Sequence, residues 1–256
     1  MVKNNKVFTR KMAEKAVRRS EYVEIPFGIE EIEDFAFAKL QDLTGVTISG
    51  LVKRIGYMAF ASCTNLKFVN MSQDIECIEE SCFSGCTSLE SIYIPKKVRF
   101  IEEYTFSGCK NLKNISGMDN VYNIGKGAFS CCSSLEEIEL PEGLMFIKSN
   151  AFESCDGLKG ISIPVSVMRI EHSAFAHCDH LKEVFFDDDS QLDRLANDLF
   201  YDCTALELIN IPDSVRYIEN GSFGHCTSLR KIVIPSKVVH IGDTAFYGCE
   251  NLKISK

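Results

Sequence analysis

The sequence predicts an α/β repeat solenoid: about 10–11 short units stacked on a shared parallel β-sheet, spanning residues 21–256. Three observations predict it. First, Cys63, Cys86, Cys109, Cys132, Cys155, Cys178, Cys203, Cys226 and Cys249 recur every 23 residues, with a single step of 25 between Cys178 and Cys203. Second, a Phe stands three residues before each of these cysteines, from Phe60 to Phe246, and Phe37 extends the series with Leu40 in the cysteine slot. With only 18 Phe in 256 residues, ten in register is a repeat and not composition. Third, apolar residues hold fixed places around each Phe. Leu lies six after it (Leu43 to Leu252), Val or Ile nine after (Val46 to Ile232), Ile or Leu five before (Ile32 to Ile241), and Val, Ile or Leu eight before (Ile29 to Val238).

The first element lies outside the repeat. Residues 1–20 carry seven Lys and Arg side chains against Glu14, a net of +6 in a chain of net −8, which leaves −14 for the rest. Phe8, Met12 and Ala16 fall at i, i+4, i+8, so the spacing predicts a short amphipathic helix over about 9–19. It reads as a helical cap over the first unit, which a solenoid needs for solubility. A basic arm for an anionic partner or a membrane surface is the alternative reading. The segment has no apolar core of the kind a secretory signal requires.

Each unit then follows one plan. An I-x-I step alternates with period two, as a strand does. Pro26, Pro95, Pro141, Pro164, Pro212 and Pro235 end it, since Pro has no N–H for a ladder. A V-x-x-I step turns the chain. The A-F-x-x-C-x-x-L run has a spacing of three, which predicts a helical or 3₁₀ turn. The long unit places its two extra residues within Asp187–Gln191, read as a charged surface turn and not a calcium loop. The last unit stops at Leu252–Lys256 inside a strand, an edge that could pair with a second copy to give a homodimer.

The unit L-x-x-I-x-I-P-x-x-V-x-x-I-x-x-x-A-F-x-x-C-x-x resembles the repeat of BspA-like leucine-rich repeat proteins over residues about 22–254. That resemblance implies a leucine-rich-repeat horseshoe with the parallel β-sheet on its concave face. It also implies binding or adhesion and not catalysis, often at the surface of host-associated bacteria and some protozoa.

Composition narrows the function classes. At 45% hydrophobic and 25% charged the chain can fill a core. Its acidic balance argues against nucleic acid as partner, and no apolar run is long enough to span a membrane. The ladder cysteines read as buried free thiols, because parallel side chains on neighbouring rungs keep their Cβ atoms too far apart for a disulfide. Cys77, in a connecting turn, is expected to be the most reactive. His177, Cys178 and His180 do not have zinc spacing, so no metal is expected, nor any cofactor or catalytic residue. No motif of phosphate binding or of a nucleophile elbow occurs.

Strand alternation turns positions nine and eleven after Phe inward, and positions eight and ten outward onto the face where a ligand would sit. There the outward set includes Tyr22, Phe68, Tyr93, Glu137, Glu139, Phe185, Leu208, Lys231 and Val233. Phe68 with Tyr93, and Phe185 with Leu208 and Val233, form two apolar groups in a mostly polar series. The expected function is a non-enzymatic scaffold that binds a protein, such as a host or surface protein, or a glycan. The alternative is a structural or self-associating element whose exposed rings only pack on one another. Unpaired cysteines favour the cytoplasm if the chain is complete, whereas the resemblance favours a surface or secreted location.

Overall fold

A computed structural model describes residues 6–255; residues 1–5, which include Lys3 of the basic segment, and Lys256 lie outside the described residues. The chain winds through parallel rungs built from a longer strand, a short strand and a turn that carries the Phe, with the longer strand missing at residues 137–140. Longer strands run from Tyr22–Glu24 and Gly45–Ile48 to Lys253–Ser255, and short ones from Val7–Phe8 and Glu31–Ile32 to His240–Ile241. All pairings are parallel, and their register follows the period: Val46 pairs with Val69, and Ile55 with Ile78. In the short strands the buried Leu195 stacks on the buried Ile218, which pairs in turn with Ile241, exposed in the last rung.

The Phe column is the spine of the core. Phe8, Phe37, Phe60, Phe83 and onward to Phe246 stack ring on ring, with centroids 4.8–5.7 Å apart. The nine rings from Phe37 to Phe223 are completely buried. Each contributes roughly 2–3 kcal/mol through burial, to which offset stacking adds.

The turns differ from the expectation of a 3₁₀ or helical segment. The residue two after Phe is left-handed in every rung, from Lys39 (φ 63°) to Gly248 (φ 78°), and the residue two before Phe is left-handed in all rungs but the last. Met58, Phe60 and Ser62 donate their N–H groups forward to the carbonyls of Glu80, Cys82 and Ser84 in the next rung, at 2.7–3.1 Å. The residues between them, Ala59, Ala61 and Cys63, donate backward within the rung to Gly56, Met58 and Phe60. Left-handed residues let alternate amides face along the stack, so the turn becomes a third inter-rung ladder. A non-glycine side chain there costs about 1–2 kcal/mol, which the added hydrogen bonds offset. Helical structure among the described residues is confined to Arg10–Val17 and the 3₁₀ turn Met118–Asn120.

At the N-terminal end the predicted helix is present, but its buried face differs. Phe8 lies in a strand that pairs with Glu31–Ile32 and stacks on Phe37. Within the helix Ala13 and Val17 are buried, and Met12 and Ala16 pack beside them. Arg10 donates to the carbonyls of Phe35 and Ala38 in the first rung, at 3.1 and 2.5 Å. Its amide meets Glu33 Oε2 at 2.8 Å.

Candidate ligand-binding face

The longer strands alternate as predicted. The inward residues Val46, Ile92, Ile161, Val184 and Ile232 are buried. Their neighbours Tyr22, Phe68, Tyr93, Phe185, Leu208 and Val233 are 40–54% exposed, and Glu137, Glu139 and Lys231 are exposed too. The grouping of these side chains departs from the sequence reading in three places.

In the first group Phe68 partners Tyr22 and not Tyr93. The two rings are two rungs apart, yet their centroids lie 6.0 Å from each other. Gly45 stands between them, and a Cβ there would lie 2.3 Å from Phe68 Cζ, so the ring occupies the space a side chain would take. The Tyr22 hydroxyl donates to Thr47 Oγ1 at 2.7 Å, which fixes the edge of this aromatic platform. Tyr93 instead lies against Gly117, where a Cβ would be 2.9 Å from its ring.

Glu137 and Glu139 sit in a rung that lacks the longer strand. The preceding rung leaves its strand at Gly117 (φ 80°) and enters the 3₁₀ turn, where other rungs carry an apolar residue that continues inward. The longer-strand sheet breaks here, between Asn114–Ser116 and Gly160–Ile163. A shallow depression of about 470 Å³ marks the break, lined by Lys113, Asn114, Glu136, Glu137, Lys159 and Gly160. Lys159 bonds to Glu136 and holds its carboxyl below the usual range.

In the second group Phe185 and Leu208 are diagonal neighbours, since Glu183 is the residue opposite Leu208. Beyond them Asn210 replaces the ladder: its Oδ1 accepts from the Phe186 N–H and its Nδ2 donates to the Phe186 carbonyl, both at 2.8 Å. Lys231 and Val233 follow on the next strand, and Lys231 lies directly opposite Lys253. Like charges so placed favour an anionic group nearby.

The remaining candidates resolve into structural roles. Each ladder cysteine donates its thiol to the carbonyl of the Phe one rung behind, from Cys63 to Phe37 at 3.0 Å through Cys249 to Phe223 at 3.0 Å. Among the described residues all twelve cysteines are free. Cys77 is not activated: burial, and then the neighbouring Glu79, push its thiol up to about 12. Cys131 is the exposed thiol. His177 meets Asp202 at 3.2 Å while His180 Nδ1 faces the Asp156 carbonyl at 2.7 Å, and Cys178 points inward. Asp187 accepts from the Asp189 amide at 2.9 Å, so the acidic loop closes on itself.

The family model for the BspA type leucine rich repeat region matches in six copies over residues 17–136 and 122–253. Among solved structures, the chain is similar to a leucine rich cell surface protein from Faecalibacterium prausnitzii A2-165, at 28% identity and TM-score 0.58, over 91% of this chain and 72% of that one. It is also similar to a leucine rich repeat protein of T. pallidum, at 25% identity and TM-score 0.51, over 73% of this chain and 78% of that one. The pneumococcal vaccine antigen PcpA shares the fold at 17% identity and TM-score 0.51, over 92% of this chain and 62% of that one. Among curated proteins no sequence relative is found. No helix of the described residues is long and apolar enough to cross a membrane. With its period, its Phe and Cys columns and its parallel rungs, the chain belongs to the BspA-type leucine-rich repeat family.

Proposed function

We propose that the protein is a non-enzymatic binding scaffold whose longer-strand face, the concave one, holds a protein partner in an interaction or adhesion role. One observation carries this reading. Phe185, Leu208 and Val233 stand 40–54% exposed on three consecutive rungs, apart from the exposed Tyr22, Phe68 and Tyr93 nearer the N-terminal end of the same face. Neighbouring rungs bury their own core without these side chains, so exposure there is not needed for packing. Lys231 and Lys253 border the group and favour a partner that carries a carboxylate. The similar cell surface protein supports a surface setting. A glycan is the second reading, favoured by the Tyr22–Phe68 platform, whose open ring faces suit stacking against a sugar.

The test is a pull-down from host matrix and from cell lysate with the wild-type solenoid and a Phe185→Ser/Leu208→Ser variant. The variant is expected to keep its thermal midpoint within a few degrees and to lose captured partners. Capture unchanged by the substitution, or a large fall in midpoint, removes the concave face from consideration.

A further inference from the structure

The short-strand sheet carries a second exposed stripe at the positions six and seven before each Phe. Phe100 and Met168 are 40% and 57% exposed, and Tyr122, Met145 and Phe146 lie half-buried between them on consecutive rungs. Phe100 and Tyr122 meet edge to face at 4.5 Å. Beneath them Asn123 Oδ1, which pairs in register between Phe100 and Phe146, is a buried acceptor with no donor among the described residues.

The same two columns hold Arg99, Arg169, Arg194 and Arg216 between residues 98 and 217, against Asp193 alone. This reverses the sign of a chain of net −8. Arg194 is engaged by Asp193 and Glu219 and lies over the Tyr217 ring. Arg169 reaches only Glu171, at 4.0 Å, and Lys148 already holds that carboxylate at 3.1 Å. Among the described residues Arg99 and Arg216 have no carboxylate within ion-pair distance.

The stripe is also where the short-strand ladder opens. The two extra residues of the long unit precede Arg194–Leu195, and that strand does not pair with Arg169–Ile170. The Met145 carbonyl accepts the amides of Met168 and Arg169, but the equivalent Met168 carbonyl receives no backbone donor among the described residues. A cleft of about 370 Å³ lies at the gap, lined by Met168, Arg169, Leu192, Asp193 and Arg194.

We propose that this stripe is a second docking surface, and that it takes an extended acidic polypeptide segment bearing apolar side chains. Methionine and aromatic side chains with arginine form the composition of interface cores. The unpaired arginines select carboxylates, and the open Met168 carbonyl can take an amide from an extended guest. Apolar area and a free backbone acceptor favour a polypeptide over a sulfated polysaccharide.

The experiment measures fluorescence anisotropy of a labelled glutamate–tyrosine copolymer, with polyglutamate and heparin as comparison probes. The copolymer is expected to bind, to weaken with salt, and to lose about tenfold or more in affinity with Arg169→Glu/Arg216→Glu. Met168→Ser should weaken it by about threefold, while Phe185→Ser/Leu208→Ser leaves it unchanged. Polyglutamate should bind more weakly than the copolymer. The proposal is overturned by an absence of copolymer binding at low salt, by indifference to the arginine variants, or by sensitivity to the concave pair. It is overturned equally if heparin binds more tightly than the copolymer. Dimers in light scattering that the arginine variants dissolve would overturn it in favour of a second copy of the chain.

Discussion

The thiol of Cys109 donates to the main-chain carbonyl of Phe83, one rung behind it, at 3.2 Å. The same carbonyl also accepts the Cys86 amide at 3.1 Å, so both its lone pairs are used inside the core. A cysteine suits this place because it is small, apolar and a weak donor. Leu40 occupies the slot in the first rung, where the helix Arg10–Val17 and not another Phe turn lies behind. Burial pushes the Cys109 thiol up to about 12. A raised thiol pKa means little thiolate at pH 8. Ellman's reagent should therefore label first the exposed Cys131 and the half-buried Cys249, whose thiol is lowered by its hydrogen bond with Cys226, and the eight buried ladder thiols only on unfolding. Fast labelling of more than three thiols in the folded state contradicts the column as described. Cys109→Ala should cost about 1–2 kcal/mol in urea unfolding, through lost volume and one lost hydrogen bond.

Phe129 stacks between Phe106 and Phe152, at 5.4 and 5.3 Å. Phe129→Ala should cost about 3–5 kcal/mol. Rungs touch only their neighbours, so the loss falls at one level of the stack. The urea transition should broaden or split into two phases, read by circular dichroism and by Tyr fluorescence. A single transition of unchanged slope would show that the stack unfolds as one unit.

Two glycines should respond differently to alanine. A Cβ on Gly56 would lie 2.6 Å from the Asp34 amide and 2.8 Å from the Ile32 carbonyl, backbone atoms that cannot move without breaking the ladder. Gly56→Ala should cost about 2–3 kcal/mol. A Cβ on Gly45 would lie nearest the ring of Phe68, a half-exposed side chain that can swing away. Gly45→Ala should cost under about 1 kcal/mol while separating Phe68 from Tyr22. Thermal melts rank the two, and equal losses would contradict the difference in surroundings.

Glu102 has its carboxyl raised above the ordinary range, by burial first and then by Glu79, Glu103 and Glu80. A raised carboxylate pKa means that the folded state favours the protonated form. Its contribution to stability is present at low pH and is lost as pH rises through the folded value. Glu102→Gln should therefore stabilise the protein at pH 7, by under about 1 kcal/mol. The gain should shrink as pH falls into the ordinary carboxylate range. Urea midpoints of both proteins at pH 7 and pH 4 give the comparison, and a stabilisation that grows on acidification would refute the assignment.

Much of the binding face was legible because strand alternation is local. Tyr22, Phe68, Phe185, Leu208 and Val233 point outward wherever their rungs lie, since Val46, Val184 and Ile232 must point inward. Their grouping was not legible. Phe68 reaches Tyr22 across two rungs only because Gly45 leaves the space, and Glu137 lost its strand to a turn in the rung before it. The second stripe was readable in principle, by following the positions six and seven before Phe. Two-residue strands give no periodic signal of their own, and Phe100, Phe146 and Met168 lie inside the step whose spacing reads as a turn.

The sequence by itself determined the period, the parallel stacking, the Phe and Cys columns and the outward residues, because each repeats with a spacing visible along the chain. Only the tertiary structure decided how the turns are made. The spacing of three around Phe fits a 3₁₀ turn as well as the alternating left-handed ladder that is present. The difference is whether Phe60 N–H bonds within its own rung or to Cys82, and that partner lies 22 residues away. Local spacing states which residues can face a neighbour; stacking then selects the backbone that satisfies every amide between them.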